Sequence, residues 1–357
     1  MPSLRLLRLG PVSGLHSQIL YHALARSVSK GGPNSLAILS PTEPYVSVGF
    51  HRDVASEVDL EFCRARGIPV YRREVGGGPV YLDGNQVFFQ LAVHHRDAPP
   101  TVERCYASWL RPVLETYRAL GVPAEISSMS DLTVEGRKLS GTAMARIEDA
   151  TVLVGNIILD FDHATMARVL RVPDAAFRAE VEKRMRASVS SLRAELGRLV
   201  SHETVEDELV RQFERALGVE LVQGELREPE QQLLRQTERW FLSPRWRRAR
   251  AGKPSAVRRV KIRGGLHVLL ATSGAGRRGQ LRAMVAAEGG CIARLQFSGR
   301  AGDRPAGLQQ LEAALAGRAF TVSEIERAIA AQDGLADPAA LAAARTCLLQ
   351  AAAQVLD

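Results

Sequence analysis

The chain has 357 residues and a mass of 38.9 kDa, with 46% hydrophobic residues and a mean hydropathy of -0.08. That is room for about two domains with cores of their own, and no apolar run reaches the length of a bilayer span. The four cysteines, Cys63, Cys105, Cys291 and Cys347, are far apart and form neither a CxxC pair nor zinc spacing, so no metal site is expected. The net charge of +8 and pI of about 9.7 suit an acidic partner, nucleic acid or a membrane face.

Met1–Leu9 alternates leucine and arginine in part and reads as a strand. It lacks the apolar core of a signal peptide, which makes the cytoplasm the expected location. Ser13 can cap a helix running through Leu15, Ile19, Leu20 and Ala23 toward Val28. Ser35–Leu39 and Tyr45–Phe50 read as paired strands around Pro41-Thr42-Glu43-Pro44. A short helix near Val58–Arg66 precedes the strand Ile68–Tyr71. Next comes Arg72-Arg73-Glu74-Val75-Gly76-Gly77-Gly78-Pro79-Val80-Tyr81-Leu82-Asp83, then a bend at Asp83-Gly84-Asn85 and a strand over Gln86–Val93. Three consecutive glycines let backbone approach a bulky ligand with N–H groups free for an anion, and arginine forks suit phosphate or carboxylate.

Val102–Leu120 is expected as one amphipathic helix with Tyr106, Trp109, Leu110, Val113, Leu114 and Tyr117 on a face. Asp131–Ala143 reads as a strand, a Glu135-Gly136 turn and a return strand carrying Lys138. Thr151–Phe161 is a long strand through Gly155-Asn156. Helices are expected over Asp174–Met185 and Thr204–Leu217, the latter opened by the box Thr204–Asp207. A junction near 223–255 holds a helix over 229–242 and the run Arg245-Trp246-Arg247-Arg248-Ala249-Arg250, read as a solvated helix end rather than a nucleic-acid surface. Strands at Ala256–Ile262, Leu266–Thr272 and Gln280–Ala287, then helices at Leu308–Leu315 and after Thr321, make a small α+β unit. A last helix starts at Asp337-Pro338. The hairpins outnumber βαβ units, which argues for α+β, a mixed sheet backed by helices, and against a Rossmann fold.

Together RREVGGGPVYLD (72–83), GRKLSG (136–141), VGNIILDF (154–161) and RMRASVSSL (184–192) resemble the lipoate–protein ligase family. That family belongs to the biotin/lipoate ligase superfamily, related to class II aminoacyl-tRNA synthetases. The resemblance implies a catalytic domain over 1–225, an accessory α+β domain over 226–335 and a terminal helix over 336–357, with a hinged accessory domain. It also implies ATP-dependent formation of lipoyl-AMP and transfer of the lipoyl group to a lysine of an acceptor lipoyl-domain or lipoate-binding protein. No nucleic acid or membrane partner is expected.

The chemistry requires fixed cations and N–H donors around the attacked phosphorus. The resemblance gives Lys138 the central role, bridging the acid's carboxylate and the α-phosphate of ATP. The chain has only five lysines, Lys30, Lys138, Lys183, Lys253 and Lys261, which makes this one stand out. By the same resemblance Arg73, Gly78, Pro79, Val80 and Tyr81 contact ATP or the acyl-adenylate, and Gly76, Gly77, Ser140 and Gly141 the lipoyl group. Arg72, Asn85, Asp131, Gly155 and Asn156 form a second tier, and Mg²⁺ is expected to be held mainly by the nucleotide.

Three departures from the family pattern remove polar groups: Val75, Leu82 and Val154. The variant VGGGPVYLDGNQVFFQ resembles ligases serving lipoate-binding proteins of bacterial sulfur oxidation. The nearest rival is an octanoyl or lipoyl transferase acting without ATP through a cysteine thioester, but Ser127-Ser128-Met129-Ser130 offers no thiol where that relative has one. A non-catalytic lipoyl-binding protein is the alternative of another class. The biotin branch's GRGRxG-like loop is absent.

Overall fold

In the computed structural model, which describes residues 3–248, 257–273, 281–299, 307–332 and 336–355, the N-terminal segment forms β1 (Ser3–Val12). Ser13 caps α1 (Gly14–Ser29) by accepting the His16 N–H, as its position predicts. β2 (Ser35–Pro41) and β3 (Tyr45–Val48) do not pair as expected. Between them the Gly14 N–H holds Glu43 Oε1 at 2.7 Å, turning the chain out of one sheet into another.

The short helices α2 (Val54–Glu57) and α3 (Leu60–Ala65) lead to β4 (Val70–Arg72), β5 (Val80–Leu82) and β6 (Gln86–His94). The segment expected as one helix is two, α4 (Val102–Trp109) and α5 (Arg111–Ala119). Pro112 has no N–H with which to continue the ladder, so the break falls at Leu110. Four strands follow: β7 (Glu125–Ile126), β8 (Leu132–Val134), β9 (Arg137–Ser140) and β10 (Thr142–Ile147). They lead into β11 (Ala150–Ile158). α6 (His163–Val169), α7 (Ala175–Ser188), α8 (Leu192–Leu196) and α9 (His202–Leu217) succeed it. α9 starts before the expected Thr204 box, because Ser201 already accepts the Thr204 N–H. β12 (Glu220–Gln223), α10 (Glu228–Leu242) and α11 (Pro244–Arg248) complete this part.

The main sheet runs β10-β11-β6-β2-β1-β12 and is mixed, parallel only at β1–β2 and β1–β12. β6 is buried on both faces, which is why it reads as a nearly continuous apolar run. Phe89, Leu91 and Val93 join Trp109, Val113, Tyr117 and Phe213 in one core. Phe88 and Ala92 join Leu20, Leu24 and Val28 of α1 in another. The fold is the α+β arrangement expected: a mixed sheet backed by helices.

Contacts divide the chain into two units, Met1–Arg171 with Arg186–Gly252, and Val172–Met185 with Lys253–Asp357. This differs from the expected break at 225 for a physical reason. α10 stays with the first unit because fully buried Glu230 takes Arg5 at 2.6 Å and Ser27 at 2.9 Å.

The second unit has an antiparallel sheet, β13 (Val257–Arg263), β14 (Leu266–Thr272), β15 (Arg282–Glu288) and β16 (Cys291–Ser298). Three strands were expected. β16 escapes the alternation test because the register shift leaves Ala293 as an extra residue, so burial falls at Ile292, Leu295 and Phe297. α12 (Leu308–Leu315), α13 (Val322–Ala330) and α14 (Pro338–Ala352) share its core; α14 is thus part of this unit rather than a separate tail. Most of α7 belongs here too, where Glu180 meets Arg294 at 2.6 Å.

Candidate active site

Glu135 and Gly136 have φ of 48° and 75°, the doubly left-handed pair that closes a two-residue hairpin. Across it Thr133 faces Lys138, but Leu132 then faces Ser140, so Leu139 is a bulge. Leu139 is fully buried, and its carbonyl accepts the Tyr117 hydroxyl at 2.5 Å. That hydrogen bond anchors the residue after Lys138 to α5. Lys138 Nζ lies 2.7 Å from Asp131 Oδ1, with the two side chains 22% and 11% exposed. The loop before Asp131 closes on itself through Ser127 N–H to Asp131 O at 3.1 Å, and the Thr142 hydroxyl holds Ser130 O at 2.5 Å.

Arg73 organises the glycine loop. Its Nε and Nη2 donate to Gly76 O at 3.1 and 2.8 Å, Nη2 also to Gly78 O at 2.8 Å, and Nη1 to Ser47 O at 2.7 Å. Burial lowers its pKa to about 10, which leaves it a cation at neutral pH. The fork expected to grip an adenylate is thus occupied by the loop's own carbonyls.

Gly77 has φ 103°, and a Cβ there would sit 2.6 Å from Arg73 Nη2; a Cβ on Gly49 would collide with the Gly77 carbonyl oxygen. Both positions require glycine. Above Gly76 and Gly78 there is open space, since a Cβ on either meets nothing within 4 Å. Among the described residues no acceptor takes the N–H groups of Gly76, Gly77 or Gly78. That leaves a run of free donors beside a half-buried cation, a fit for an anionic ligand.

Contacts through α6 and the start of β6 link the two motifs. The Tyr81 N–H lies 3.1 Å from Met166 Sδ, and His163 Nε2 lies 3.0 Å from the carbonyl of Val189, whose backbone bridges to Lys138. Asn156 ties the hairpin to β6: Nδ2 donates to Gln86 Oε1 at 2.5 Å, Oδ1 accepts the Gly141 N–H at 2.8 Å, and its carbonyl accepts the Ser140 hydroxyl at 2.6 Å. Ser140, Gly141 and Asn156 are therefore joined as one buried polar knot. Gly155 backs onto Phe89, where a Cβ would collide with the ring. Val80 is 37% exposed beside Pro79, while Asn85 turns outward at the bend with its N–H on Asp83 Oδ1 at 2.9 Å. Burial raises the Tyr81 hydroxyl to about 12.

Arg72 is not at the site. It is buried, donates to Phe50 O and stacks on Phe50 and Trp246 with centroid distances of 5.5 and 5.3 Å. Trp246 is itself 6% exposed, and its Nε1 donates to Arg72 O at 2.9 Å, so the ring expected at a solvated helix end is core instead. Ala249 and Arg250, the end of that run, lie outside the described residues. The three apolar departures converge: Val75 is buried in the α1-side core, and Leu82 and Val154 pack against the same cluster. Ser47, Gly49, Tyr117 and Glu195 are not among the site residues expected from the sequence; only the glycine offered a signal. Cys63, Cys105 and Cys347 are buried and Cys291 lies in the second unit, with burial raising the Cys63 thiol to about 11 and pushing Cys105 and Cys347 up. A cavity of about 420 Å³ at the other end of β6, lined by Asn34, His94, Arg96 and Asp97, holds none of the expected residues.

A mixed sheet backed by helices, with a glycine loop and a hairpin lysine linked through α6, defines the lipoate ligase-like fold class. Residues 15–214 match the lipoyl protein ligase A/B catalytic domain, and the chain belongs to that family. It is similar to an octanoyltransferase LipM of Symbiobacterium thermophilum, 29% identical over 250 residues, which is 64% of this chain and 91% of the relative. It is also similar to a lipoate–protein ligase of Streptococcus pyogenes, 28% identical over 167 residues, 46% of this chain and 48% of the relative. Among solved structures, the bipartite lipoate protein ligase of Thermoplasma acidophilum superposes with a TM-score of 0.64 at 24% identity, covering 71% of this chain and 99% of that one. The P. falciparum LipL1 structure in complex with lipoate covers 98% of this chain and 100% of its own, with a TM-score of 0.57 at 14% identity. The protein is an enzyme of the lipoate ligase and octanoyltransferase family.

Proposed function

We propose that the protein activates lipoate with ATP and transfers the lipoyl group to a lysine of an acceptor lipoyl-domain or lipoate-binding protein. What supports this reading is the set of N–H groups at Gly76–Gly78 that no acceptor takes among the described residues, with a lysine linked to that loop through α6, and no thiol in the hairpin or the loop before it. A carboxylate resists nucleophilic attack until one of its oxygens carries a leaving group. In the first step a lipoate oxygen attacks the α-phosphorus, the bond to the bridging oxygen breaks, and pyrophosphate leaves with those electrons. Lys138 neutralises charge on both reacting anions and holds them together. Arg73 shapes the cradle and adds positive potential rather than a direct fork. In the second step the acceptor amine attacks the acyl carbon, AMP departs, and the amine's proton passes to solvent. Mg²⁺ travels on the triphosphate.

The second reading is octanoyl transfer without ATP, favoured by the names of several of the relatives. Two measurements separate them. Lipoate-dependent exchange of labelled pyrophosphate into ATP is expected from the purified protein. Alanine in place of all four cysteines is expected to leave transfer intact. An acyl group trapped on a cysteine, with no exchange, would make this a thioester transferase.

A further inference from the structure

Lys138 is held along its backbone as well as at its ammonium. On the edge of β9 away from β8, Ser190 N–H donates to Lys138 O at 2.8 Å, and Val189 forms a parallel bridge with Lys138. The preceding residue, Arg137, is fastened to Glu195 of α8 by three contacts: Nε to Oε1 at 3.1 Å, Nη2 to Oε1 at 3.0 Å and Nη2 to Oε2 at 2.9 Å. The Ser190 hydroxyl also donates to Glu195 Oε1. One carboxylate, 14% exposed, therefore ties together the residue before Lys138 and the residue that holds the Lys138 carbonyl.

A fork-to-fork pair of this kind fixes direction as well as distance. Arg137 also reaches Glu135 Oε2 in the turn at 3.0 Å, but Glu135 is 76% exposed, and such a contact fixes little. The Glu195 side is the one with geometric authority. Because Lys138 stands beside a bulge, its direction is not set by the β8–β9 ladder alone, and a second edge is needed to fix it.

We infer that Glu195 is a positioning residue for Lys138, acting through Arg137 and Ser190 without touching either substrate. This rests on the reading of Lys138 as the reacting-group lysine. Loss of the clamp lets β9 drift at the lysine, and a displacement on the order of an ångström at a reacting group costs up to a hundredfold.

The test uses the full chain with Glu195→Ala, Glu195→Gln and Ser190→Ala. The first readout is the resonance of ¹³C-dimethylated Lys138, one of only five lysines and assigned by its absence in Lys138→Arg. It is independent of activity, so it reports on the clamp even if the pyrophosphate exchange fails. Glu195→Ala is expected to shift and broaden the Lys138 signal while Lys30 and Lys183 stay in place. The second readout is acyl transfer to an acceptor domain. Here kcat is expected to fall about tenfold to a hundredfold with KM for lipoate within about twofold. Glu195→Gln, which keeps an oxygen for Arg137 and Ser190, is expected to recover much of the loss. Should Glu195→Ala not fold, Ser190→Ala still removes one tie to the carboxylate and is expected to move the same resonance. An unmoved Lys138 signal in the folded variants, or equal shifts of all five lysines with no restoration by glutamine, overturns the assignment.

Discussion

Lys138 and Arg73 are both cations, yet their surroundings give them opposite tasks. The ammonium has one carboxylate partner at 2.7 Å and is partly exposed, whereas the guanidinium is surrounded by backbone oxygens of Ser47, Gly76 and Gly78. Lys138→Ala is therefore expected to lower adenylate formation by about two to three decades with the fold retained. Pyrophosphate exchange alongside a thermal melt checks both halves. The glycines separate in the same way. Gly77→Ala meets positive φ and a 2.6 Å contact with Arg73, so it is expected to destabilise by about 1–3 kcal/mol in denaturant unfolding. Gly78→Ala finds open space, so it is expected to leave stability within about 0.5 kcal/mol while raising KM for the nucleotide. The motifs were readable because glycine runs and a lone lysine are rare signals. The role of Arg73 was not, because occupancy of a fork depends on which carbonyls fold around it.

At the scale of elements, α10 shows how one buried carboxylate decides a boundary. Burial opposes ionisation of Glu230, but hydrogen bonds from Arg5, the Arg227 N–H and Ser27 outweigh it, bringing its pKa to about 2 from 4.5. A folded pKa below the unfolded one means stability that is fully present above about pH 4.5 and is lost as pH falls toward 2. Unfolding free energy is expected to decline through that window in the wild type, by about 3 kcal/mol from this group. In Glu230→Gln that decline is expected to shrink, with the loss already present at pH 7. Urea titrations at pH 7, 4 and 3 supply the comparison. From the sequence, residues 229–242 were correctly a helix. Its attachment to the first unit was hidden, since Arg5 and Glu230 lie 225 positions apart.

For the whole molecule, the second unit is assembled from two separate stretches of chain. The chain enters it at Val172, leaves at Arg186 and returns at Lys253. A chain ending at residue 225 keeps α7 but loses Arg282 and Arg294, which take Asp174 and Glu180, and loses the sheet of that unit. Phe177, Val181 and Met185, all buried in the full chain, sit on α7, which contacts assign to the unit whose sheet this truncation removes. Such a truncation is expected to bind a hydrophobic dye and to melt well below the full chain. A well-packed 1–225 fragment with no dye binding would contradict that assembly.

What the sequence determined by itself was local and periodic. β1, the Ser13 cap, the Glu135-Gly136 hairpin, the glycine run and the family all rest on short-range pattern and chemistry. The tertiary structure alone decided what Arg72 and Arg73 touch, that Val75, Leu82 and Val154 fill one cluster, that Glu195 reaches Arg137, and that α7 joins the second unit. The reason is that each depends on a partner well away along the chain or on how several carbonyls fold around one side chain. Side-chain periodicity tells which face is apolar, but not which distant carbonyl, ring or carboxylate will meet it.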